Sequence, residues 1–497
     1  MHKRFNPTVS LLHKHLIADG KKTALLGIDQ RISYASLYEH ILRYASLLQL
    51  KGINKGDRIL IALPDSPEFI YAFLGSLYIG MIPVPCNDSM EKDAIEFILR
   101  DSGATALFTA MASPAAKATS AKLKHCYHTD TPEFGILAAS VSPGACLPAE
   151  FAPDTLGFML YTSGSTGLPK GVPHAAKDLL PEFNSFAVDV LKVVPEDIIF
   201  SVSKMYFGFG LLNTISSGLG LGATIVLLPE KPSVTNLRHT ISTCRPTLLF
   251  AVPAIHEMLL ENAGEILISS GIRACVSSGE CLPKALCTAF MAKTKIPIID
   301  AFGSAETFHS FIANRPHDVV PGTSGHVIPP WKVRLVNDEN RPVPDGQPGY
   351  LEVSGPCLFP FYWKDRKDSA AGLPSGAWYR TGDVFLGRNT ELSFVGRSDD
   401  MFKSDGNWVS PVRIEQVLKT HPAIKDCAVC ARVFMGTHRP VAHIVLREGI
   451  SEILEQDLHV FARTRLPAHM GPVQYNFHEE LPKTISGKIQ RFRLKEI

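Results

Sequence analysis

Apolar and polar residues alternate in two patterns along the first 150 residues. The segment YASLYEHILRYASLLQL, residues 34–50, repeats its apolar positions at the spacing of a helix that buries one face. GDRILIALP, which begins at residue 56, is a short apolar run after a turn, as expected of a buried strand. SPEFIYAFLGSLYIG returns to the helical pattern, and IPVPCN follows as a strand. This order of strand, helix and strand predicts parallel βαβ units.

The same alternation continues after residue 150. TLGFMLY precedes AAKDLLPEFNSFAVDVL, and GATIVLLP precedes SVTNLRHTIST, so two further strand–helix pairs are predicted. From about residue 320, short strands within HVIPPWKVRLVN, GYLEVSG and LSFVGR alternate with Pro, Gly, Asn and Asp turns, which predicts a small barrel-like β module. A new α+β segment follows the charged turn GRSDD, residues 396–400, which suits a hinge. We therefore predict a large domain over 1–397 and a small domain over 398–497.

Composition narrows the class of protein. A chain of 497 residues is long for one core and suggests two or more domains. Its 50 basic and 48 acidic residues leave a net charge of +2, so a nucleic-acid partner is not expected. Because no run of about 18 apolar residues occurs, membrane insertion is not expected either.

The first residues and the cysteines bear on location. MHKRFNPTVS has no apolar segment of the kind that marks a secretory signal. The ten cysteines are scattered along the chain, as expected of free thiols in a reducing compartment. These features predict a cytoplasmic protein. The sequence leaves the oligomeric state open, and a homodimer is possible.

The segment YTSGSTGLPKG, residues 161–171, combines three glycines with four Ser or Thr hydroxyls and a lysine. It follows the strand pattern GFMLY and precedes a predicted helix, a setting in which backbone N–H groups converge on an anion. Its spacing is not that of a Walker loop, because Lys170 is followed by Gly171 rather than by Ser or Thr. A surface linker and a phosphate-binding loop are both compatible with this composition.

The wording YTSGSTGLPKGV resembles the phosphate-loop signature of the acyl-adenylate-forming superfamily of AMP-dependent synthetases and ligases. Further stretches resemble signatures of this superfamily in the same order, and together they extend the resemblance over about residues 20–497: VSSGECLP, IIDAFGSAET, WYRTGD, VGRSDDMFKSDGNWVSPVRIE and LPKTISGKIQR. The resemblance implies an α/β fold whose large amino-terminal domain has two αβα subdomains and a small β-barrel module. It also implies a small, mobile α+β domain at the carboxyl end.

The resemblance implies a site for ATP and Mg²⁺. Glu306 would hold the magnesium ion, for which a carboxylate is a suitable hard ligand. Phe302 would offer an aromatic face to the adenine. The phosphates would be held by Lys170 and by the loop residues Thr162, Ser163, Gly164, Ser165, Thr166 and Gly167. The remaining nucleotide contacts would come from Gly279, Glu280, Ala301, Gly303 and Ser304.

The later signatures imply the other contacts. Asp383 would accept hydrogen bonds from both ribose hydroxyls, and Arg397 would reach the nucleotide. Asp399 would be the pivot of the small domain. Lys488 would bridge the substrate carboxylate and the α-phosphate, because an ammonium group can offset the charge that develops there.

Three of these stretches also have purely structural interpretations. IIDAFGSAET could begin a helix capped by Ser304, with Glu306 in its first turn. WYRTGD could be a simple hairpin turn, and the basic stretch around Lys488 could be a solvated helix end.

Within the superfamily, three stretches look closest to the benzoate- and other aryl-CoA ligases, namely SKMYFGFGLLNTISSGLGLGATIVLLPEKPS, FHSFIANRPHDVVPGTSG and GNWVSPVRIE. Residues 206–210 contain no acid to pair with an ammonium, so an α-amino acid is a poor fit. The implied acid pocket suits a flat ring with a small polar substituent. It would be lined by Gly208, Phe209, Gly210, His309 and Ser310, although His309 could instead be an ordinary core histidine.

These features predict an enzyme that activates an aromatic carboxylic acid with ATP and transfers the acyl group to CoA. Loading of a carrier-protein phosphopantetheine uses the same thiol chemistry and is the alternative. A third possibility is an inactive nucleotide-binding relative, because Ala305 replaces the threonine that donates to the α-phosphate in the family. The lost donor would cost about 1–3 kcal/mol unless Ser304, Thr307 or a water substitutes.

Overall fold

Helices and strands alternate through the first 150 residues as predicted, and they form a four-stranded parallel sheet. The computed structural model describes residues 4–163, 169–363, 376–434, 436–450, 453–482 and 489–494. Ser33 and Ser66 cap two of the helices by accepting backbone N–H groups. In spatial order the strands are Ile82–Pro85, Arg58–Ala62, Ala106–Thr109 and His125–His128. The accompanying helices are Tyr34–Leu50, Pro67–Tyr78, Lys92–Ser102 and Pro132–Ser140.

A nine-stranded sheet forms the second αβα layer, and two such layers were predicted. Six neighbouring strands of this sheet run parallel, and the strands outside them pair antiparallel. In spatial order the strands are His326–Val327, Ser310–Ala313, Ile298–Gly303, Ala274–Ser277, Leu248–Ala251, Ile198–Ser201, Thr224–Val226, Thr23–Leu26 and Arg31–Ser33. The helices of this part are Pro7–Asp19, Gly208–Leu211, Val234–Cys244, Pro253–Asn262, Gly264–Ser270 and Lys284–Thr294.

The region around the phosphate-loop stretch differs from the prediction. The strand Leu156–Ser163 does not join a parallel sheet but pairs antiparallel with the strand Pro169–Ala175. Residues 164–168 therefore connect two strands, and the predicted helix N-terminus at this loop is wrong. The segment that follows forms short 3₁₀ and π-helical turns rather than one helix, partly because Pro181 lacks the N–H that a continuous helix needs.

The predicted β module forms a four-stranded antiparallel sheet. Its strands are Lys332–Val336, Pro348–Ser354, Tyr379–Arg388 and Glu391–Arg397, in that order. Phe385 and Trp331 pack in one hydrophobic cluster with Phe311 of the nine-stranded sheet. Among the described pairings, the first and last strands do not pair with each other, so barrel closure stays a prediction.

Residues beyond 400 form a small α+β unit with its own hydrophobic core. Ser410 caps the first helix of this unit, and its hydroxyl donates to the carbonyl of Val395 at 2.5 Å, which joins the unit to the preceding strand. The strands are Phe402–Ser404, Asn407–Val409, Ile424–Phe434, Thr437–Leu446 and Gln474–Phe477, and the helices are Pro411–Leu418, Glu455–Arg463 and Arg491–Leu494. No helix in the described ranges is long and apolar enough to cross a membrane.

Candidate active site

The antiparallel strands Leu156–Ser163 and Pro169–Ala175, which we call the phosphate hairpin, place Thr162 opposite Lys170 and the backbone of Ser163 opposite Pro169. The ammonium of Lys170 lies 5.3 Å from the centre of the Tyr362 ring, within the range of a cation–π contact. The other predicted loop residues and the predicted catalytic lysine lie outside the described residues, and their roles stay predictions: Gly164, Ser165, Thr166, Gly167 and Lys488.

The stretch IIDAFGSAET forms a strand and a tight turn that carries Glu306. The strand Ile298–Gly303 pairs antiparallel with Ser310–Ala313, and residues 305–307 turn between them. The alternative of a helix start is therefore wrong. Gly303 permits this close pairing, because a Cβ there would lie 2.6 Å from the carbonyl oxygen of His309.

Phe302 lies at the edge of an aromatic cluster beside this turn. Its ring meets Phe385 edge-on at 4.8 Å and Phe311 edge-on at 5.5 Å. Phe302 remains half-buried, whereas Ala301 is buried. A half-buried ring keeps apolar area for a flat base. The exposed part of the Phe302 ring is suitable for the predicted contact with adenine, and that contact stays a prediction.

Two tyrosines that sequence reasoning did not assign form a chain of hydrogen bonds that ends on Glu306. The Tyr362 hydroxyl donates to Glu306 Oε1 at 2.8 Å, and the hydroxyls of Tyr362 and Tyr379 are 3.1 Å apart. Burial, followed by the charge of Glu306, raises the pKa of both phenols, so they remain protonated donors. Tyr379 lies within the recognised stretch WYRTGD, but no local signal marked Tyr362.

Asp383 and Arg397 form a charge pair on neighbouring strands. The residues YRTGD of this stretch begin the long strand Tyr379–Arg388, so the alternative of a simple hairpin turn is wrong. Arg397 donates to Asp383 Oδ1 at 2.9 Å. Burial raises the pKa of Asp383, and Arg397 opposes that shift. The Asp383 side chain is only 6% exposed, whereas that of Arg397 is 49% exposed and can contact a ligand.

The segment predicted to line the acid pocket is one helical turn, Gly208–Leu211. A Cβ at Gly208 would lie 3.2 Å from Leu160 and 3.9 Å from Phe308, so this glycine borders the residue before His309. A Cβ at Gly210 would collide with the backbone carbonyl of Lys204. Phe209 is half-buried and meets Phe250 edge-on at 6.0 Å.

His309 and Ser310 are both buried. His309 Nε2 lies 2.7 Å from the carbonyl oxygen of Asp178. A carbonyl can only accept, so Nε2 carries the hydrogen. Burial lowers the pKa of His309 to about 4, so the ring is neutral near pH 7. Its Nδ1 is therefore a buried acceptor, and no partner for it occurs among the described residues.

The predicted backbone contacts at Gly279 and Glu280 follow the strand Ala274–Ser277. Gly279 has a φ of +89°, a left-handed conformation that favours glycine. Both residues are exposed. Their contact with adenine stays a prediction.

Asp65, a buried acid beside the acid-pocket segment, was not identified from the sequence. Asp65 accepts the backbone N–H of Met205 at 2.9 Å and lies 3.5 Å from the ammonium of Lys204. Burial raises the pKa of Asp65 to about 6, and Lys204 opposes that shift. Because Lys204 is already its partner, Asp65 is a poor counterion for a substrate ammonium.

The structure limits which side chain can replace the hydroxyl missing at Ala305. Thr307 is fully buried, and its hydroxyl accepts the N–H of Ser304 and donates to a backbone carbonyl of residue 304 or 309. Its single hydrogen is therefore already used. Ser304 Oγ is buried without a partner in the described part of the chain. Ser304 is therefore a better candidate than Thr307 to donate a hydrogen bond to the α-phosphate.

The residues present fit magnesium that is held jointly with a nucleotide. Within the described ranges, no three His, Cys, Asp or Glu side chains cluster as a metal cage. Mg²⁺ commonly binds one or two carboxylates together with substrate phosphates and needs no such cage. Glu306, next to the phosphate hairpin and held by Tyr362, matches that pattern.

Comparison with known proteins agrees with this arrangement. The chain is 33% identical to the benzoate–CoA ligase of Thauera aromatica over an alignment 519 positions long, which covers 99% of this chain and 96% of that protein. The structure of a benzoate CoA ligase from Burkholderia xenovorans LB400 superposes with a TM-score of 0.90 at 32% identity, covering 99% and 100% of the two chains. An anthranilate CoA ligase in complex with anthranoyl-AMP superposes with a TM-score of 0.91 at 31% identity, covering 99% and 97%.

The family profiles divide the chain into two matches. Residues 13–363 match the AMP-binding enzyme family, and residues 413–488 match the AMP-binding enzyme C-terminal domain. The chain therefore belongs to the family of AMP-binding enzymes.

Proposed function

We propose that this protein is an AMP-forming aryl-acid–CoA ligase. One observation carries the assignment. Lys170 and Glu306 come from stretches far apart in the chain and meet at Tyr362. Asp383, the partner of Arg397, lies on the same strand as Tyr379, and the Tyr379 hydroxyl is 3.1 Å from the Tyr362 hydroxyl. The full-length similarity to benzoate and anthranilate CoA ligases supports an aromatic acid as substrate.

In the first step, a carboxylate oxygen of the acid attacks the α-phosphorus of ATP, and the bond to pyrophosphate breaks. Thr162, Lys170 and the loop between them would hold the phosphates, and Asp383 would hold the ribose. Glu306 would hold Mg²⁺, which neutralises phosphate charge when bound. Lys488 would lie between the reacting oxygens and the α-phosphate.

In the second step, the thiol of CoA attacks the adenylate carbonyl and AMP leaves. We place the domain boundary between residues 397 and 398, with Asp399 as the pivot. Arg491, three residues after Lys488, pairs with Glu415 through Nε at 3.2 Å and Nη2 at 2.8 Å, and its Nη1 contacts Asp400 at 3.2 Å. These contacts support a small domain that turns as one body and carries Lys488 away from the adenylate.

The acid pocket favours a ring with a donor substituent. His309 Nδ1 is a neutral, buried acceptor, and the preceding residue, Phe308, borders Gly208. A ring hydroxyl or amino group could donate to it, whereas an unsubstituted ring would leave it without a partner. We therefore propose a hydroxybenzoate or an aminobenzoate as the preferred acid.

An acid panel tests the proposal. ATP–pyrophosphate exchange should be supported by benzoate, the hydroxybenzoates and anthranilate, and phenylalanine should not support it. If no acid supports exchange while ATP still binds, the protein is an inactive nucleotide-binding relative. With the best acid, CoA should accept the acyl group faster than a phosphopantetheinylated carrier protein. A faster carrier protein would establish the alternative acceptor.

Two further expectations belong to the proposal. We propose a cytoplasmic location, because ten scattered cysteines are expected of free thiols in a reducing compartment. A homodimer is compatible with the proposed chemistry, since every proposed site residue comes from one chain. Light scattering of the purified protein measures the oligomeric state directly.

A further inference from the structure

One short segment connects the two nucleotide stretches. Residues 359–363 run between the turn of Glu306 and the phosphate hairpin. At one end, the Phe359 N–H donates to the backbone carbonyl of Glu306 at 2.8 Å. At the other end, the Trp363 N–H donates to the carbonyl of Gly171 at 2.8 Å. We call residues 359–363 the bridging segment.

Tyr362 of the bridging segment contacts functional groups from both stretches. Its hydroxyl donates to Glu306 Oε1 at 2.8 Å, because an ionised carboxylate can only accept. With that hydrogen committed, the hydroxyl accepts from Tyr379 at 3.1 Å. The ring of Tyr362 lies under the ammonium of Lys170 at 5.3 Å. One side chain thus touches the carboxylate proposed for magnesium and the lysine proposed for phosphate.

We propose that Tyr362 is a positioning residue for magnesium and phosphate binding, an inference that rests on the proposed function of this site. The chain of hydrogen bonds from Tyr379 through Tyr362 to Oε1 orients the carboxylate, and Glu306 Oε2 is left as the metal ligand. The ring of Tyr362 keeps Lys170 beside that carboxylate. Partners that orient a metal ligand in this way typically contribute about 10- to 100-fold in metal affinity.

The phenylalanine variant separates this role from simple packing. Tyr362→Phe removes the hydroxyl but keeps the ring under Lys170. ATP binding to the full-length protein is measured by calorimetry, without acid, in EDTA and across a magnesium series. Affinity in EDTA should stay within about twofold of the wild type, and the magnesium concentration for half-maximal enhancement should rise about tenfold or more.

A matched control uses a tyrosine in the same kind of contact elsewhere. Tyr350 donates to Asp338 Oδ1 at 2.7 Å on the surface of the β module. Tyr350→Phe should leave the magnesium dependence unchanged. Tyr379→Phe removes the hydrogen bond between Tyr379 and Tyr362, which is one bond further from Glu306. It should raise the magnesium requirement by about two- to fivefold. This second variant tests the inference even if Tyr362→Phe does not fold.

Several results would overturn the inference. These are an unchanged magnesium requirement in Tyr362→Phe, an equal shift in Tyr350→Phe, or an unchanged requirement in Tyr379→Phe. A wild-type protein whose ATP affinity does not respond to magnesium would also overturn it. Because this binding assay contains no acid, its outcome is separate from the acid panel that tests the proposed reaction.

Discussion

His174 and Ala305 are 131 residues apart in the chain, and His174 Nε2 lies 2.7 Å from the carbonyl oxygen of Ala305. The carbonyl can only accept, so the imidazole donates. His174 belongs to the hairpin strand Pro169–Ala175 and is fully buried, with its Nδ1 3.3 Å from Asp178 Oδ2. This hydrogen bond joins the phosphate hairpin to the turn that carries Glu306.

Replacement of His174 should therefore affect both stability and the first reaction step. His174→Phe keeps a ring but leaves a buried carbonyl without its donor, which should lower the free energy of unfolding by about 1–3 kcal/mol. The turnover of pyrophosphate exchange should also fall, by about tenfold, because Glu306 is displaced. Thermal melting and exchange kinetics measure the two effects. His15→Phe removes a similar contact to the Gly220 carbonyl and should leave exchange unchanged.

The ribose role of Asp383 predicts a change in nucleotide discrimination. A hydrogen bond to a charged group contributes about 1.5–3 kcal/mol, so the wild type should prefer ATP over 2′-deoxy-ATP by about tenfold or more. Asp383→Asn should raise the KM for ATP and reduce this preference to about threefold or less. Asp197→Asn is a matched control, since Asp197 is equally buried and paired with Arg273 at 2.7 Å. If Asp383→Asn keeps the full preference, the ribose contact is wrong.

The proposed role of Lys488 predicts that its replacement affects the first reaction step and not the second. Lys488→Ala should abolish pyrophosphate exchange, because no other ammonium is proposed for the attacking oxygens. Thioester formation from a supplied acyl-adenylate should stay largely intact. Lys495→Ala, which removes another lysine near the chain end, is the control and should leave both steps unchanged. Equal loss of both steps in Lys488→Ala would contradict the rotating domain.

Ala305 predicts a gain of function. Ala305→Thr restores a hydroxyl at the position where the family donates to the α-phosphate, and Thr307 cannot supply it because its hydrogen is already used. If Ser304 does not already fill this role, the turnover of exchange should rise about fivefold or more with little change in the KM for ATP, whereas an unchanged turnover would show that Ser304 supplies the donor. Ala305→Val adds the same bulk without the hydroxyl and should not increase turnover. A gain in both variants would mean that bulk rather than hydrogen bonding limits the wild type.

Asp300 predicts a pH dependence of stability. Burial raises the pKa of Asp300 to about 7, from an ordinary value of 3.8 in the unfolded chain. The folded state therefore holds a proton that the unfolded chain releases, so the free energy of unfolding falls as pH rises from about 4 to about 7. Asp300→Asn removes this pH dependence. The free energy of unfolding of the variant minus that of the wild type should therefore rise by about 2–3 kcal/mol from pH 5 to pH 8. Denaturant unfolding at both pH values measures it, and a constant difference would contradict the shift.

Local patterns predicted the regular elements of the parallel layers. The helix Tyr34–Leu50 has the limits that its periodicity indicated, because Ser33 caps its start and its apolar face repeats without interruption. The strand Arg58–Ala62 followed from a short apolar run after a turn. TLGFMLY has the same local appearance, but its partner is the hairpin strand Pro169–Ala175. Apolar runs indicate a strand and do not say which strand it pairs with.

The sequence by itself determined which chemical groups are available: a hydroxyl- and glycine-rich loop with Lys170, the carboxylates of Glu306 and Asp383, and an alanine where a hydroxyl was expected. Only the tertiary structure decided that Tyr362 holds Glu306 and that Thr307 has no hydrogen to offer. The physical reason is that a hydrogen bond depends on which atoms lie within about 3 Å. Chain crossings bring together residues that are far apart in sequence, so their partners become visible only in the folded protein.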